Sequence, residues 1–265
     1  MTEIEHHDAE LGRGPGHLAN IGLIALESDL VIEPDVNAFA RQDGVAVFAN
    51  RIPIPDHTDH AALVSMLPHI ERVCRGFVPL GRIDAVIYGC TAGSVAMGPA
   101  AIAGEINKVF PGVPVTTPIS AVLAALKAMS CRSVDLLTPY ADDVTEEMIA
   151  FLGDQGIAVE RCVAFGLRSG LDMGRIEPRS ILEASDRLAG GSADALFISC
   201  TALHVAPVFE AVSARQVRPM VTSNQALAWH ALRLAGLRSS IPNVGPWLCD
   251  RLISAGDGPA IRRRA

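Results

Sequence analysis

Residues Asp84–Ala92 read DAVIYGCTA, and residues Asp194–Ala202 read DALFISCTA. Each phrase opens on an aspartate, runs through a short β-type apolar stretch and closes on Cys-Thr-Ala, so a cysteine stands just past a strand twice in one chain. Two further pairs of segments repeat in the same order. The strand ends Leu26 and Pro139 are each followed by acids, in ESDLVIEPD and YADDVTEEM. VPVTTPISAVLAAL (from Val113) matches RPMVTSNQALAWHAL (from Arg218), with Pro114 and Pro219 in register. The offsets of the three pairs are 113, 110 and 105 positions, close enough and collinear enough to indicate a duplicated four-strand unit.

Working outward, short apolar runs alternate with helix-like segments, the pattern of parallel βα units. The first unit has strands IGLIAL (21–26), VAVFAN (45–50), DAVIYG (84–89) and VPVTT (113–117). Helices are expected around His60–Cys74, from CTAGS through Asn107, and over SAVLAALKAM (120–129). The second unit has strands VDLLTP (134–139), 158–164, DALFIS (194–199) and RPMVTS (218–223), and a helix over DDVTEEMIAFLGDQG (142–156) with acids in its first turns and a glycine at its end. The expected fold is α/β: two pseudo-symmetric Rossmann-like lobes, each a four-stranded parallel sheet flanked by helices, with the active site between them. Residues 1–19, with the GRGPG cluster (12–16), are read as a flexible lead-in. Residues 20–118 and 225–265 form the first lobe, whose last helix returns after Ser223, and 119–224 form the second. The tail after about Pro246, ending IRRRA, receives no role.

At 265 residues, 49% apolar and 19% charged, the chain can bury an ample core, which will be aliphatic because aromatics are only 5%. A net charge of −7 provides no basic footprint for nucleic acid. The N-terminus MTEIEHHDAE is acidic, unlike a signal peptide, and no apolar run nears the ~20 residues that cross a bilayer. A cytoplasmic protein without membrane attachment is expected, its six cysteines reduced and none in a CxxC pair.

In open parallel sheets, ligands bind beyond the carboxyl ends of the strands. Two such lobes facing each other bring Cys90 and Cys200 into one cleft. Both cysteines are expected at helix starts, where amide donors and the helix dipole lower a thiol pKa toward neutrality. Thr91, Ser94 and Thr201 offer donors for a carboxylate. Two thiols flanking one carbon support a two-base proton transfer that inverts a stereocentre. Alternatively, one thiolate adds to an activated alkene, permitting rotation before elimination. Neither route requires a cofactor. Cys74, Cys131, Cys162 and Cys249 lack the repeated context and are read as structural.

YGCTAGSVAMG, LLTPYADDVTEEM, FISCTAL and SNQALAWHALRLAG together resemble the aspartate/glutamate racemase superfamily. Within it they resemble the branch holding maleate cis-trans isomerase, arylmalonate decarboxylase and the ectoine-utilisation protein A group, over about Ile21 to Gly236. SNQALAWH (223–230) and GLIALESDLVIEPD look most like the ectoine-utilisation group. The resemblance implies Cys90 and Cys200 as catalytic residues and Tyr140 as a carboxylate ligand. It places Thr91 and Thr201 in carboxylate pockets and Ser28 and Asp29 in a substrate-contacting first loop. Asn224 and Gln225 follow the last strand and are read as lining the cleft or capping the next helix, with Asn224 taken as the substrate contact. Arylmalonate decarboxylases of the resembled branch keep only the second cysteine, so Cys90 argues against decarboxylation. Maleate isomerases have asparagine where this chain has Asp29; an acid there repels a dicarboxylate unless protonated or paired, leaving room for a substrate bearing an amine or amide.

The expected activity is a cofactor-independent racemase or isomerase of a small carboxylic acid, such as an intermediate of ectoine degradation. Alternatives are maleate cis-trans isomerisation, amino-acid or hydantoin racemisation, and a non-catalytic carboxylate-binding protein. A homodimer follows from the resemblance alone. Glu33 and Asp35 read as helix-start acids, His204 as either a substrate-polarising or a surface group, and His230 as structural. His57 and His60 have HxxH spacing without a third ligand, so no metal is expected.

Overall fold

The computed structural model describes residue 2 and residues 4–55, 57–77 and 82–253. The first half runs β1 (Ala19–Leu26), α1 (Ile32–Ala40), β2 (Val45–Ile52), α2 (His60–Val64), α3 (Ile70–Cys74), β3 (Ala85–Gly89), α4 (Thr91–Met97), α5 (Pro99–Asn107), β4 (Val115–Thr116) and α6 (Pro118–Ala128). The second runs β5 (Ser133–Tyr140), α7 (Asp142–Asp154), β6 (Ala158–Leu167), α8 (Gly170–Met173), α9 (Pro178–Asp186), β7 (Ala195–Ile198), α10 (Phe209–Arg215), β8 (Met220–Thr222) and α11 (Ser223–Leu234). Strand order is β2-β1-β3-β4 in one sheet and β6-β5-β7-β8 in the other, all parallel. The two sheets therefore have one topology written twice.

The duplicated residues do duplicated work. The carboxylate of Asp84 accepts the Asn20 amide at the start of β1 (2.9 Å), and that of Asp194 accepts the Arg132 and Ser133 amides at the start of β5 (2.7 and 3.0 Å). Val86 donates to the Pro114 carbonyl and Leu196 to the Pro219 carbonyl, each 2.9 Å, so each proline opens an edge strand where its missing N–H costs nothing. Thr117 and Thr222 cap α6 and α11, and Gln225 completes a capping box at the latter.

Two helices differ from the sequence expectation. The segment His60–Cys74 is broken at a 3₁₀ turn over Leu67–His69, because Pro68 has no N–H to continue the ladder. The helix after Cys90 is split between Met97 and Pro99 by Gly98, whose φ of 79° ends α4 and lets Pro99 start α5. The residues between 4 and 18 form no helix or strand, and the IRRRA tail lies outside the described residues.

The central strands β1, β3, β5 and β7 are buried almost throughout, which is why they read as unbroken apolar runs. Helix α11, last in sequence, packs against α1, α6, β3 and β4, and α6 also touches β8. All residues of α11 are buried, including Arg233, which donates to the carbonyls of Leu237, Ser239, Cys249 and Arg251. Among the described residues, no helix is long and apolar enough to cross a membrane.

Candidate active site

Between the two sheets, beyond the carboxyl ends of their strands, lies a small cavity. Cys90, Thr91 and Ala92 reach it from the end of β3, and Cys200, Thr201 and Ala202 from the end of β7. Ser28 and Asp29 enter after β1, and Tyr140 at the end of β5. Leu26 lines it from the end of β1, and the rest of the wall comes from two segments to which the sequence reading assigned no site role: Ile54, Pro55, Thr58 and Leu63 after β2, and Gly170 and Met173 after β6. These are equivalent segments of the two units, each succeeding the strand at the sheet edge. They meet where the Thr58 amide donates to the Arg168 carbonyl (2.8 Å). Repetition was the available signal, since the segment after the second strand of one unit should face its counterpart in the other.

The two thiols are held differently. Cys90 is the N-cap of α4, with φ −143°, and its sulfur accepts the Gly93 amide at 3.2 Å. Cys200 does not start a helix; it has φ 104°, and the chain passes through a turn before the 3₁₀ segment Ala206–Val208. The helix-start environment expected for both cysteines therefore holds for Cys90 alone. The Cys200 sulfur instead takes the Ala202 amide (3.3 Å) and the Tyr140 phenol as donors.

Burial reverses the pKa expected for both thiols. Removal from water pushes Cys90 up to about 12, against the Gly93 amide, and neighbouring Cys200 and Asp29 raise it further. Burial likewise pushes Cys200 to about 12, against the Tyr140 hydrogen bond, with Asp29 again raising it. A single amide and a dipole end do not offset full desolvation of a thiolate. Tyr140 is itself held well above the usual phenol range by burial and the two thiols, so it remains a proton donor.

Asp29 is 2% exposed. Its Oδ1 accepts the Val31 and Ile32 amides (2.8 and 2.9 Å), while Oδ2 is buried without a partner of hydrogen-bond geometry among the described residues. Desolvation raises its pKa, against those amides, the nearby Thr201 hydroxyl and Arg51. Among the described residues, no lysine, arginine or histidine lines the cavity.

The hydrogen bonds place the other candidate residues. Ser94 donates to the Thr91 carbonyl (2.8 Å), Thr91 to Ser223 Oγ (3.0 Å) and Thr201 to the Gly89 carbonyl (3.3 Å), so these hydroxyl protons are already engaged within the protein. Asn224, expected in the cleft, does not line it. Its amide donates to the Thr201 carbonyl (2.8 Å) and Asp35 Oδ2 (3.2 Å). Gln225 caps α11 and donates to the Val244 carbonyl. His204 pairs with the buried Asp35 (2.7 Å) outside the cavity, and His230 sits in the core against Thr116 (2.8 Å) and Trp229. His57 and His60 face Asp59 and Glu147 at the surface, and no cluster of three or more metal-ligating side chains occurs among the described residues.

The family model described as arylmalonate decarboxylase matches residues 100–247. The arylmalonate decarboxylase of Bordetella bronchiseptica is 34% identical over 127 residues, a match spanning about half of either protein (47% of this chain, 53% of the relative). The maleate isomerase of Geobacillus stearothermophilus is 21% identical over 247 residues, covering 86% of this chain and 96% of the relative. A solved Nocardia farcinica maleate cis-trans isomerase mutant, with a covalently bound succinylcysteine intermediate, superposes with TM-score 0.79 at 20% identity, covering 87% of this chain and 98% of that one.

Proposed function

Because the chain belongs to the arylmalonate decarboxylase family, we propose that it is a cofactor-independent isomerase of a small carboxylic acid, with Cys90 and Cys200 acting on one substrate. The observation that carries this reading is that both cysteines of the duplicated phrase open onto a single buried cavity. One thiolate removes the proton α to the carboxylate, and the other thiol returns a proton to the opposite face of the planar carbon. The charge that develops on the substrate carboxylate is met by backbone amides of the two turns. Since both thiols are protonated at rest, generating the thiolate is the first demand on the site. The Gly93 and Ala202 amides and Tyr140 meet part of it.

Asp29 and a cavity wall without a cation among the described residues bear on the substrate. A dianion would enter a buried cavity that already holds a carboxyl group, which requires Asp29 to be protonated. An acid carrying an amine or amide instead gives Oδ2 a well-aligned donor. This favours a nitrogen-bearing acid, such as an N-acetylated diamino acid of ectoine degradation, over maleate. A second reading, cis-trans isomerisation by thiolate addition, draws support from the maleate isomerases among the relatives and from the succinylcysteine seen in one of them.

Deuterium incorporation at the α-carbon tests the proposal. In heavy water, with N-acetylated diamino acids, aspartate, hydantoins and maleate as substrates, exchange that disappears in Cys90→Ala and Cys200→Ala supports two-base isomerisation. Conversion of maleate alone, to fumarate, replaces it with thiolate addition. A substrate bound without exchange or conversion leaves a binding protein.

A further inference from the structure

The two cysteine turns are strapped together by the first residues of α11. Ser223, fully buried, receives two hydrogen bonds on one oxygen: the Thr91 hydroxyl from the Cys90 turn (3.0 Å) and the backbone amide of Cys200 (3.1 Å). The adjacent Asn224 holds the Thr201 carbonyl and Asp35, and Asp35 in turn holds His204 and the Ala206 amide. These anchors of the turn after β7 lead to α11 and α1, helices that pack on each other.

Cys200 needs such an anchor because its φ of 104° is a conformation that residues with a side chain seldom adopt and that surrounding structure must impose. Without the Ser223 oxygen, the buried Cys200 amide loses its acceptor, and the contact that opposes relaxation from positive φ is gone. The Cα–Cβ bond then swings, and the sulfur moves with it. We propose that Ser223 is a positioning residue that fixes the direction of the Cys200 thiol relative to Cys90. The inference rests on the reading that both thiols serve one substrate.

The test reads thiol placement directly. Full-length protein is treated with dibromobimane, which fluoresces on bridging two thiols, and the Cys90–Cys200 bridged peptide is quantified by mass spectrometry. Iodoacetamide labelling of each cysteine is measured in parallel. Variants are Ser223→Ala, Ser223→Thr, which restores a hydroxyl, Thr91→Val, which cuts the other arm of the strap, and Gln225→Ala, which breaks the capping box of the same helix turn. Per folded molecule, bridging is expected to fall about tenfold or more in Ser223→Ala and less in Thr91→Val, to recover in Ser223→Thr and to persist in Gln225→Ala. Single-thiol labelling stays within about threefold throughout. With a turned-over substrate, kcat falls about a hundredfold in Ser223→Ala while KM changes little, the cost of an ångström-scale misplacement.

Bridging in Ser223→Ala equal to wild type, or lost equally in Gln225→Ala, overturns the positioning role. Failure of the wild-type thiols to bridge, although iodoacetamide labels each of them singly, overturns the two-thiol reading instead. Should Ser223→Ala not fold, Thr91→Val decides: unchanged bridging there refutes the strap.

Discussion

The turns around Cys90 and Cys200 have nearly the same sequence and different backbones. After Cys90 the chain enters α4 at once, whereas after Cys200 it stays irregular until Ala206. The residues that differ explain why. Gly93 in CTAG occupies the first turn of α4, where an added Cβ would lie 2.8 Å from the Tyr88 hydroxyl, 3.0 Å from Met66 Cε and 3.1 Å from the Cys90 sulfur. Its counterpart Leu203 in CTAL is fully buried and makes its contribution by packing. The duplicated motif therefore presents a cysteine sulfur to the same cavity twice while the two copies hold it by different means, one through a helix cap and one through tertiary hydrogen bonds.

The comparison is broken most easily at the thiols themselves. Cys90→Ala and Cys200→Ala should each reduce turnover by about 10³-fold or more, because paired groups acting as a unit fail together. A variant that kept near-wild-type turnover would show that the copies are not partners. Next in size, Gly93→Ala should lower kcat about 10²-fold by displacing the Cys90 sulfur. Leu203→Ala should instead cost about 2–5 kcal/mol in denaturant unfolding and affect kcat far less. Similar profiles for the two would erase the distinction between a helix cap and a packed turn.

Asp29 lies near both thiols but belongs to neither turn. Asp29→Asn should lower kcat/KM for a nitrogen-bearing acid about tenfold and raise it for a diacid, since a neutral amide no longer repels the second carboxylate. Side-by-side kinetics on both substrates check this; parallel changes would remove Asp29 from substrate selection.

A separate effect falls on stability. Each buried thiol has a pKa of about 12 in the folded protein against 9.0 for the free group. Below pH 9.0 both states hold the proton. Above it the unfolded chain releases protons that the folded chain retains, so stability falls with rising pH by about 1.4 kcal/mol per unit for each thiol until its folded pKa is passed. Unfolding curves at pH 8 and pH 10.5 should show a shallower fall for Cys90→Ala and Cys200→Ala than for wild type. Equal slopes would mean that the thiols are less desolvated than their burial implies.

The fold was largely legible in the sequence because central parallel strands must be apolar on both faces and so announce themselves as continuous runs. Helix interruptions at Pro68 and Gly98 were less visible, since the apolar spacing continues across them. The cavity wall was legible where residues repeat, at Cys90, Thr91, Cys200 and Thr201, and, through the family resemblance, at Ser28, Asp29 and Tyr140. Met173 and Leu63 carried no such mark, because an aliphatic residue lining a cavity looks like one filling a core. Asn224 was misplaced for a related reason: its position after a strand says that it is near the site, but only the third dimension shows its amide turned toward Thr201 and Asp35. The thiol pKa values were beyond sequence reasoning, which detects a helix start and not the depth at which it lies.

The packing of α11 against α1, α6, β3 and β4 bears on how the protein is made. A nascent chain emerging from the ribosome can pair β1 to β4 early, yet the helix that covers that sheet and straps the two cysteine turns follows all eight strands in the chain. The Cys200 turn lacks its anchors until residues 223–224 are present, because Ser223 accepts the Cys200 amide and Asn224 holds the Thr201 carbonyl. A fragment ending before Ser223 therefore contains both cysteines but not the strap that holds the Cys200 turn.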